Sequence, residues 1–145
     1  MRRLALVAAV AAGLAGCGGG DKGGDKATYV RKGNAICASY ARDIAKLGQP
    51  DTLAKIAPFI TKAMPILTRT VADISKLDPP SSLAGAYAKF RAAAQATVDR
   101  ADRLRNAADA GDGAQAKALL TEATKASKTR VGLARDAGLE TCAKL

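Results

Sequence analysis

The groups with chemistry to offer are few: Cys17, Cys37 and Cys142, the carboxylate pairs Asp99/Asp102 and Asp136/Glu140, and the polar side chains Asn34, Tyr40 and Tyr87. The chain has no histidine, so no serine or cysteine can be activated by an imidazole base, and no Ser-x-x-Lys occurs in its place. Zinc and the first-row metals are usually held by histidine or by cysteine clusters, and three widely separated cysteines form none. Each carboxylate pair lies on one helical face, but a di-iron site in a helical bundle needs Glu-x-x-His motifs, and the sequence has only two glutamates. Such charges normally end as surface ion pairs. Catalytic dithiols commonly form Cys-x-x-Cys, a spacing that does not occur here. No metal or cofactor is expected, and the reading that remains is non-enzymatic.

Asn34, Tyr40 and Tyr87 fall close to inner helical faces, where such groups either line a ligand pocket between helices or hydrogen-bond within the fold. A closed, alanine-filled core would favour an interaction module, whereas a pocket containing any of the three would favour a ligand binder. The 23 basic residues outnumber the 13 acidic ones, for a net charge of +10. Much of the excess falls in two later segments, at Lys89, Arg91, Arg100, Arg103 and Arg105, then at Lys117, Lys125, Lys128, Arg130 and Arg135. Adjacent helices would gather these into one positive face, with Arg100, Arg103, Lys125 and Lys128 as the leading contacts. Anionic lipid headgroups or acidic wall polymers are the fitting partners, at about 1 kcal/mol per basic residue near a membrane. Aromatics make up 3% of the chain, so it lacks the stacking platforms that nucleic acid would need. A face that serves only solubility is the alternative.

Arg2 and Arg3 precede an apolar run from Leu4 to Gly16, a layout of charged, apolar and small residues that reads as a secretion signal over residues 1–16. The run is shorter than the about 20 residues of a membrane span. It ends in Leu14-Ala15-Gly16-Cys17, which resembles the lipobox of bacterial lipoproteins. That resemblance implies a diacylglyceryl group on the Cys17 thiol, acylation with chains such as palmitate, and a location on the outer side of the cytoplasmic membrane or in the periplasm. Two or three acyl chains make a durable anchor. Residues 17–27 then form a tether, since Gly18 to Lys26 reads GGGDKGGDK and has no apolar side chain to bury.

The elements that must position these groups are helices. Alanine is abundant and β-branched residues are sparse, which favours helix over stacked sheet. Val30, Gly33, Cys37, Tyr40, Ile44 and Leu47 form a first seam that Gly48 and Pro50 stop. Leu53, Ile56, Ile60, Met64, Leu67, Val71, Ile74 and Leu77 form a second, in which Pro58 follows a lead-in turn and Pro65 bends or restarts the helix. Asp78-Pro79-Pro80 breaks the chain, Ser81 or Ser82 caps the third helix, and its inner face is Leu83, Tyr87, Phe90, Ala94, Val98, Ala101 and Leu104. Asp112 with Gln115 reads as a capping box ahead of Leu119, Leu120, Ala123, Ser127, Val131, Ala134 and Ala137. The expected fold over residues 28–145 is an all-α, antiparallel four-helix bundle, up-down-up-down, with close approach of the last two helices at their alanines.

Asn34-Ala35-Ile36-Cys37, Leu77-Asp78-Pro79-Pro80 and Gly138-Leu139-Glu140-Thr141-Cys142-Ala143 together resemble motifs of a group of small helical lipoproteins of high-GC bacteria. The resemblance spans nearly all of residues 28–143 and implies a fold and a compartment, with no activity attached. In an oxidising exterior, Cys37 and Cys142 read as a disulfide between opposite ends of the domain. On straight helices those positions lie at different heights, so the pairing requires the chain to reverse at Gly138.

Overall fold

The computed structural model describes residues 23–145; the signal segment 1–16, Cys17 and the spacer up to residue 22 lie outside them. Asp25 starts the first helix: its carboxylate accepts the Thr28 backbone N–H at 2.8 Å. Helix α1 (Lys26–Ala45) therefore begins inside the segment expected to be tether. Gly23 and Gly24 already lie against the turn at Asp78–Ser81, where the Gly24 N–H donates to the Pro79 carbonyl at 3.3 Å. A Cβ on Gly23 would meet the Pro79 oxygen at 2.7 Å, so this contact needs the bare backbone.

Helix α2 (Ile56–Ser75) follows a 3-10 turn at Leu53–Lys55. Pro58 sits in its first turn, where the missing N–H has no helical partner to lose. Pro65 does not restart the helix, which runs on through it. Pro65 and Thr61 are both exposed, so the Thr61 carbonyl freed by the missing donor faces water. Ser81 and Ser82 open a 3-10 turn (Ser81–Leu83) instead of capping a helix, and Leu83 holds the N-cap position of α3 (Ala84–Asp109). Gly111 closes α3 at φ +68°, and Asp112 accepts the Gln115 N–H at 2.9 Å to open α4 (Gly113–Asp136). The reciprocal arm of the expected box is absent, because the Asp112 N–H already donates to the Ala107 carbonyl at 3.0 Å.

Successive helices pack side by side, α3 against α4 most extensively, which makes an all-α, antiparallel four-helix bundle. Helices α1 and α4 meet chiefly through the C-terminal segment, which packs on both. That segment reverses at Gly138, φ +73°, where the Gly138 N–H donates to Arg135 at 2.8 Å and the Leu139 N–H reaches back to Ala134 at 2.9 Å. This Schellman closure carries Leu139 into the core and Cys142 back to α1. Cys37 and Cys142 are disulfide-bonded, with an S–S distance of 1.99 Å and Cα atoms 5.1 Å apart.

The core divides into two clusters. One lies at the disulfide end and contains Tyr29, Cys37, Ile74, Leu77, Tyr87, Phe90, Ala134, Leu139 and Cys142. The other, at the opposite end, contains Ile56, Ile60, Leu104, Ala107, Ala116 and Leu119. Leu120, expected inside, is exposed; Ala116, one turn earlier, is fully buried and lets α3 and α4 close together.

Candidate binding cleft

Between the two clusters the bundle is not closed. A cavity of about 50 Å³ opens there, lined by Cys37 and Tyr40 of α1, Leu67, Thr70, Val71 and Ile74 of α2, Phe90, Ala94 and Thr97 of α3, Arg130 of α4, and Leu145. It is walled by all four helices because Tyr40 falls on the α1 seam three residues after Cys37, and because α4 brings Arg130 across from it. Thr97 and Arg130 also line an adjoining groove of about 250 Å³, whose other walls are Ile60, Arg100, Ala101, Leu104, Ala123 and Ser127. Ile60 and Leu104 in turn border a third hollow of about 380 Å³, whose other walls are Pro50, Asp51, Thr52, Leu53, Ile56, Phe59 and Leu120. Leu53 and Leu120 are the exposed large hydrophobic residues among the described residues.

Arg130 is the charged side chain of the first cavity, while Arg100 lines the adjoining groove and Asp51 the third hollow. Burial lowers its affinity for its proton, and the neighbouring Tyr40 partly offsets that; burial likewise raises the Tyr40 phenol, and Arg130 opposes it. One guanidinium N–H donates to the Leu145 main-chain oxygen at 2.9 Å, which leaves most of its five donors for another acceptor. The Tyr40 hydroxyl makes no hydrogen bond among the described residues. The arrangement is thus a partly desolvated cation and a free hydroxyl set into apolar walls.

The three side chains expected at a pocket are divided by the structure. Tyr40 lines the cleft. Tyr87 is buried, and its hydroxyl donates to the Ile74 carbonyl at 2.6 Å. Asn34 accepts the Thr141 N–H at 2.9 Å through Oδ1 and so holds the returning C-terminal segment beside the disulfide. Both are structural. Of the four basic residues expected to lead a surface contact, Arg100 and Arg103 each bond Glu122 at 3.1 Å, and the Arg100 side chain is only 16% exposed. Glu122 is held below the usual carboxylate range by those two hydrogen bonds. Lys125 and Lys128 are exposed and form no ion pair among the described residues. The positive face is therefore smaller than the residue count implies.

Arg130 is the residue that sequence reasoning missed, counted there with the exposed charges. It stands one position before Val131 of the fourth seam, which places it at the edge of the inner face. Tyr29 was missed in the same way, although it lies four residues before Gly33 on the same stripe. No group of histidine, cysteine, aspartate or glutamate arranged to hold a metal occurs among the described residues, and none of their helices is long and apolar enough to cross a membrane. No family model, curated protein or solved structure matches the chain.

Proposed function

We propose that the protein is an exported envelope lipoprotein, anchored through lipid on Cys17, that acts as a non-catalytic binding module with the inter-helical cleft as its site. The observation that carries the binding role is the Arg130 guanidinium, partly desolvated beside the free Tyr40 hydroxyl in a cavity walled by all four helices. Beyond its bond to the Leu145 main-chain oxygen, the guanidinium keeps donors that an acceptor group of a ligand would satisfy. The export role is supported by the resemblance of Leu14-Ala15-Gly16-Cys17 to a lipobox and by a disulfide, a bond that persists in oxidising compartments. Contact with anionic lipid or acidic wall polymer through the outer face belongs to the same reading, and rests on Lys125 and Lys128 more than on Arg100 and Arg103.

Detergent-phase partitioning of the wild type and of Cys17→Ser tests the anchor: the wild type is expected in the detergent phase and the variant in the aqueous phase. Equal release of both would overturn the lipid assignment. Native mass spectrometry of the purified protein tests the module, with a small molecule expected on the wild type and lost from Arg130→Gln.

A further inference from the structure

Four basic residues form a line on the outer side of α4. At about 100° per residue, Lys117, Lys125, Lys128 and Arg135 fall within a sector of about 80°, and they span about 27 Å of the helix axis. The buried Ala116, Leu119 and Ala134 lie on the opposite side. All four cations are exposed, and none forms an ion pair among the described residues. Helix α4 has two carboxylates: Glu122 is taken up by Arg100 and Arg103, and Asp136 is its last residue. The place where the chain enters the bundle decides what this line can meet. The Gly24 N–H donates to the Pro79 carbonyl, and a Cβ on Gly24 would collide with the Asp78 carbonyl, so residues 23–24 are seated on the turn between α2 and α3. Cys17 is six residues before Gly23, which keeps it within about 21 Å of that turn whatever path the intervening chain takes. The C-terminal end of α4 is at the same end of the bundle, since a Cβ on Gly138 would lie 3.4 Å from the Leu83 side chain.

We infer that the anchored protein lies on an anionic lipid surface along α4, with Lys117, Lys125, Lys128 and Arg135 against phosphate headgroups and the lipid on Cys17 holding the Arg135 end. The inference rests on the lipoprotein reading above and names the face and orientation of its membrane contact. Charge decides between lying and standing. In the terminal turns and caps at the entry end, Lys26, Lys76 and Arg135 face Asp25, Asp73, Asp78 and Asp136, so that end offers an anionic surface no net attraction. Standing on it would leave Lys128 about 10 Å and Lys117 about 27 Å above Arg135, beyond the screening length of about 8 Å at physiological salt. Lying along α4 brings all four within that length, and the attraction accumulates with each basic residue near the surface. A membrane is favoured over a free acidic polymer because the anchor holds it beside the line at high effective concentration.

The test reconstitutes the full-length lipidated protein into vesicles of phosphatidylcholine and of an equal mixture of phosphatidylcholine and phosphatidylglycerol, each with a trace of dansyl-labelled lipid. The chain has no tryptophan, so Ala118→Trp on the outer side of α4 and Ala72→Trp on the exposed side of α2 each supply a single energy donor. On the anionic vesicles, transfer from the α4 probe is expected to exceed that from the α2 probe at least threefold, by an order-of-magnitude reading of four near-surface cations. On neutral vesicles, or at high salt, the two are expected to converge. Lys117→Gln/Lys125→Gln/Lys128→Gln is expected to abolish the difference. Arg31→Gln/Lys32→Gln/Arg42→Gln, which removes the same charge from exposed positions of α1, is expected to keep it. Equal transfer from both probes on anionic vesicles, a difference that persists on neutral ones, or equal effects of the two triple variants would overturn the inference. Binding of soluble polyphosphate with the two probes equal on vesicles would assign the line to an acidic polymer and overturn the lipid assignment. Flotation with neutral vesicles reads the anchor separately: failure to float overturns the lipoprotein reading and this inference with it, whereas flotation with equal probes overturns the α4 face alone.

Discussion

Tyr29 and Tyr87 meet edge to face at the disulfide end, ring centroids 5.8 Å apart and planes at 86°, and each hydroxyl donates to a carbonyl on another helix or turn, Tyr29 to Ala137 at 3.0 Å and Tyr87 to Ile74 at 2.6 Å. The arrangement satisfies two phenols that burial would otherwise penalise, and it uses the edge-to-face preference of aromatic quadrupoles. Burial, with a smaller contribution from Tyr87, pushes the Tyr29 phenol from 10 up to about 12, and burial raises Tyr87 as well. A folded-state value above the unfolded one gives stability that is intact below the unfolded value and lost as pH rises through the folded one. Urea midpoints should therefore hold level up to pH about 10 and fall from there to about 12, more steeply than in Tyr29→Phe. At neutral pH the same substitution should lower stability by about 1–2 kcal/mol, because the Ala137 carbonyl loses its donor inside the core. A level pH profile across that window would show that the Tyr29 hydroxyl is not held in its neutral form by the fold.

Helix ends decide where this chain can place its functional groups, and they divide into those that side-chain type reveals and those that only packing reveals. Asp112 capping α4 and the reversal at Gly138 were legible, since a carboxylate three residues before a free N–H and a glycine after an apolar stripe have a local cause. Gly138→Ala should cost about 1–2 kcal/mol for a side chain at φ +73°, whereas Gly132→Ala, in the body of α4 with open space at its Cβ, should gain about 0.5–1 kcal/mol. Thermal melting of the two single variants checks the pair, and shifts of the same sign would contradict the assignment. The helical seams were legible for the same reason that their periodicity is local. The exposure of Leu120, the uninterrupted path through Pro65 and the 3-10 turn at Ser81 were not, because each depends on which neighbour covers that stretch of helix. The cleft followed this division. Tyr40 sits on a seam and was found, but Arg130 is drawn inward by α1 and by Leu145, neither of which its own helix announces.

On the scale of the whole molecule, the disulfide and the groove belong to one design. Cys37 lines the inter-helical cavity, and the segment that Cys142 anchors returns Leu145 to the same cavity, where its main-chain oxygen accepts from Arg130. The bond spans 105 residues, nearly the entire bundle, so it restrains the unfolded chain over its greatest length. In the chain-entropy treatment a loop of that size stabilises by about 4–5 kcal/mol. Reduction removes that restraint, and it also frees the C-terminal segment that joins α1 to α4. The far cluster around Ile56, Leu104 and Leu119 is held by α2, α3 and α4 alone and has no cysteine near it. Two consequences separate the entropic effect from the local one. Urea unfolding of Cys37→Ala/Cys142→Ala should show a loss approaching 4–5 kcal/mol against the oxidised wild type. Hydrogen exchange under native conditions should accelerate locally for α1, the C-terminal segment and the Arg130 end of α4, whereas amides around Leu104 and Leu119 should change only through global unfolding. Uniform acceleration through both clusters would mean that they unfold as a single cooperative unit, and the cleft between them would then not mark a boundary in stability.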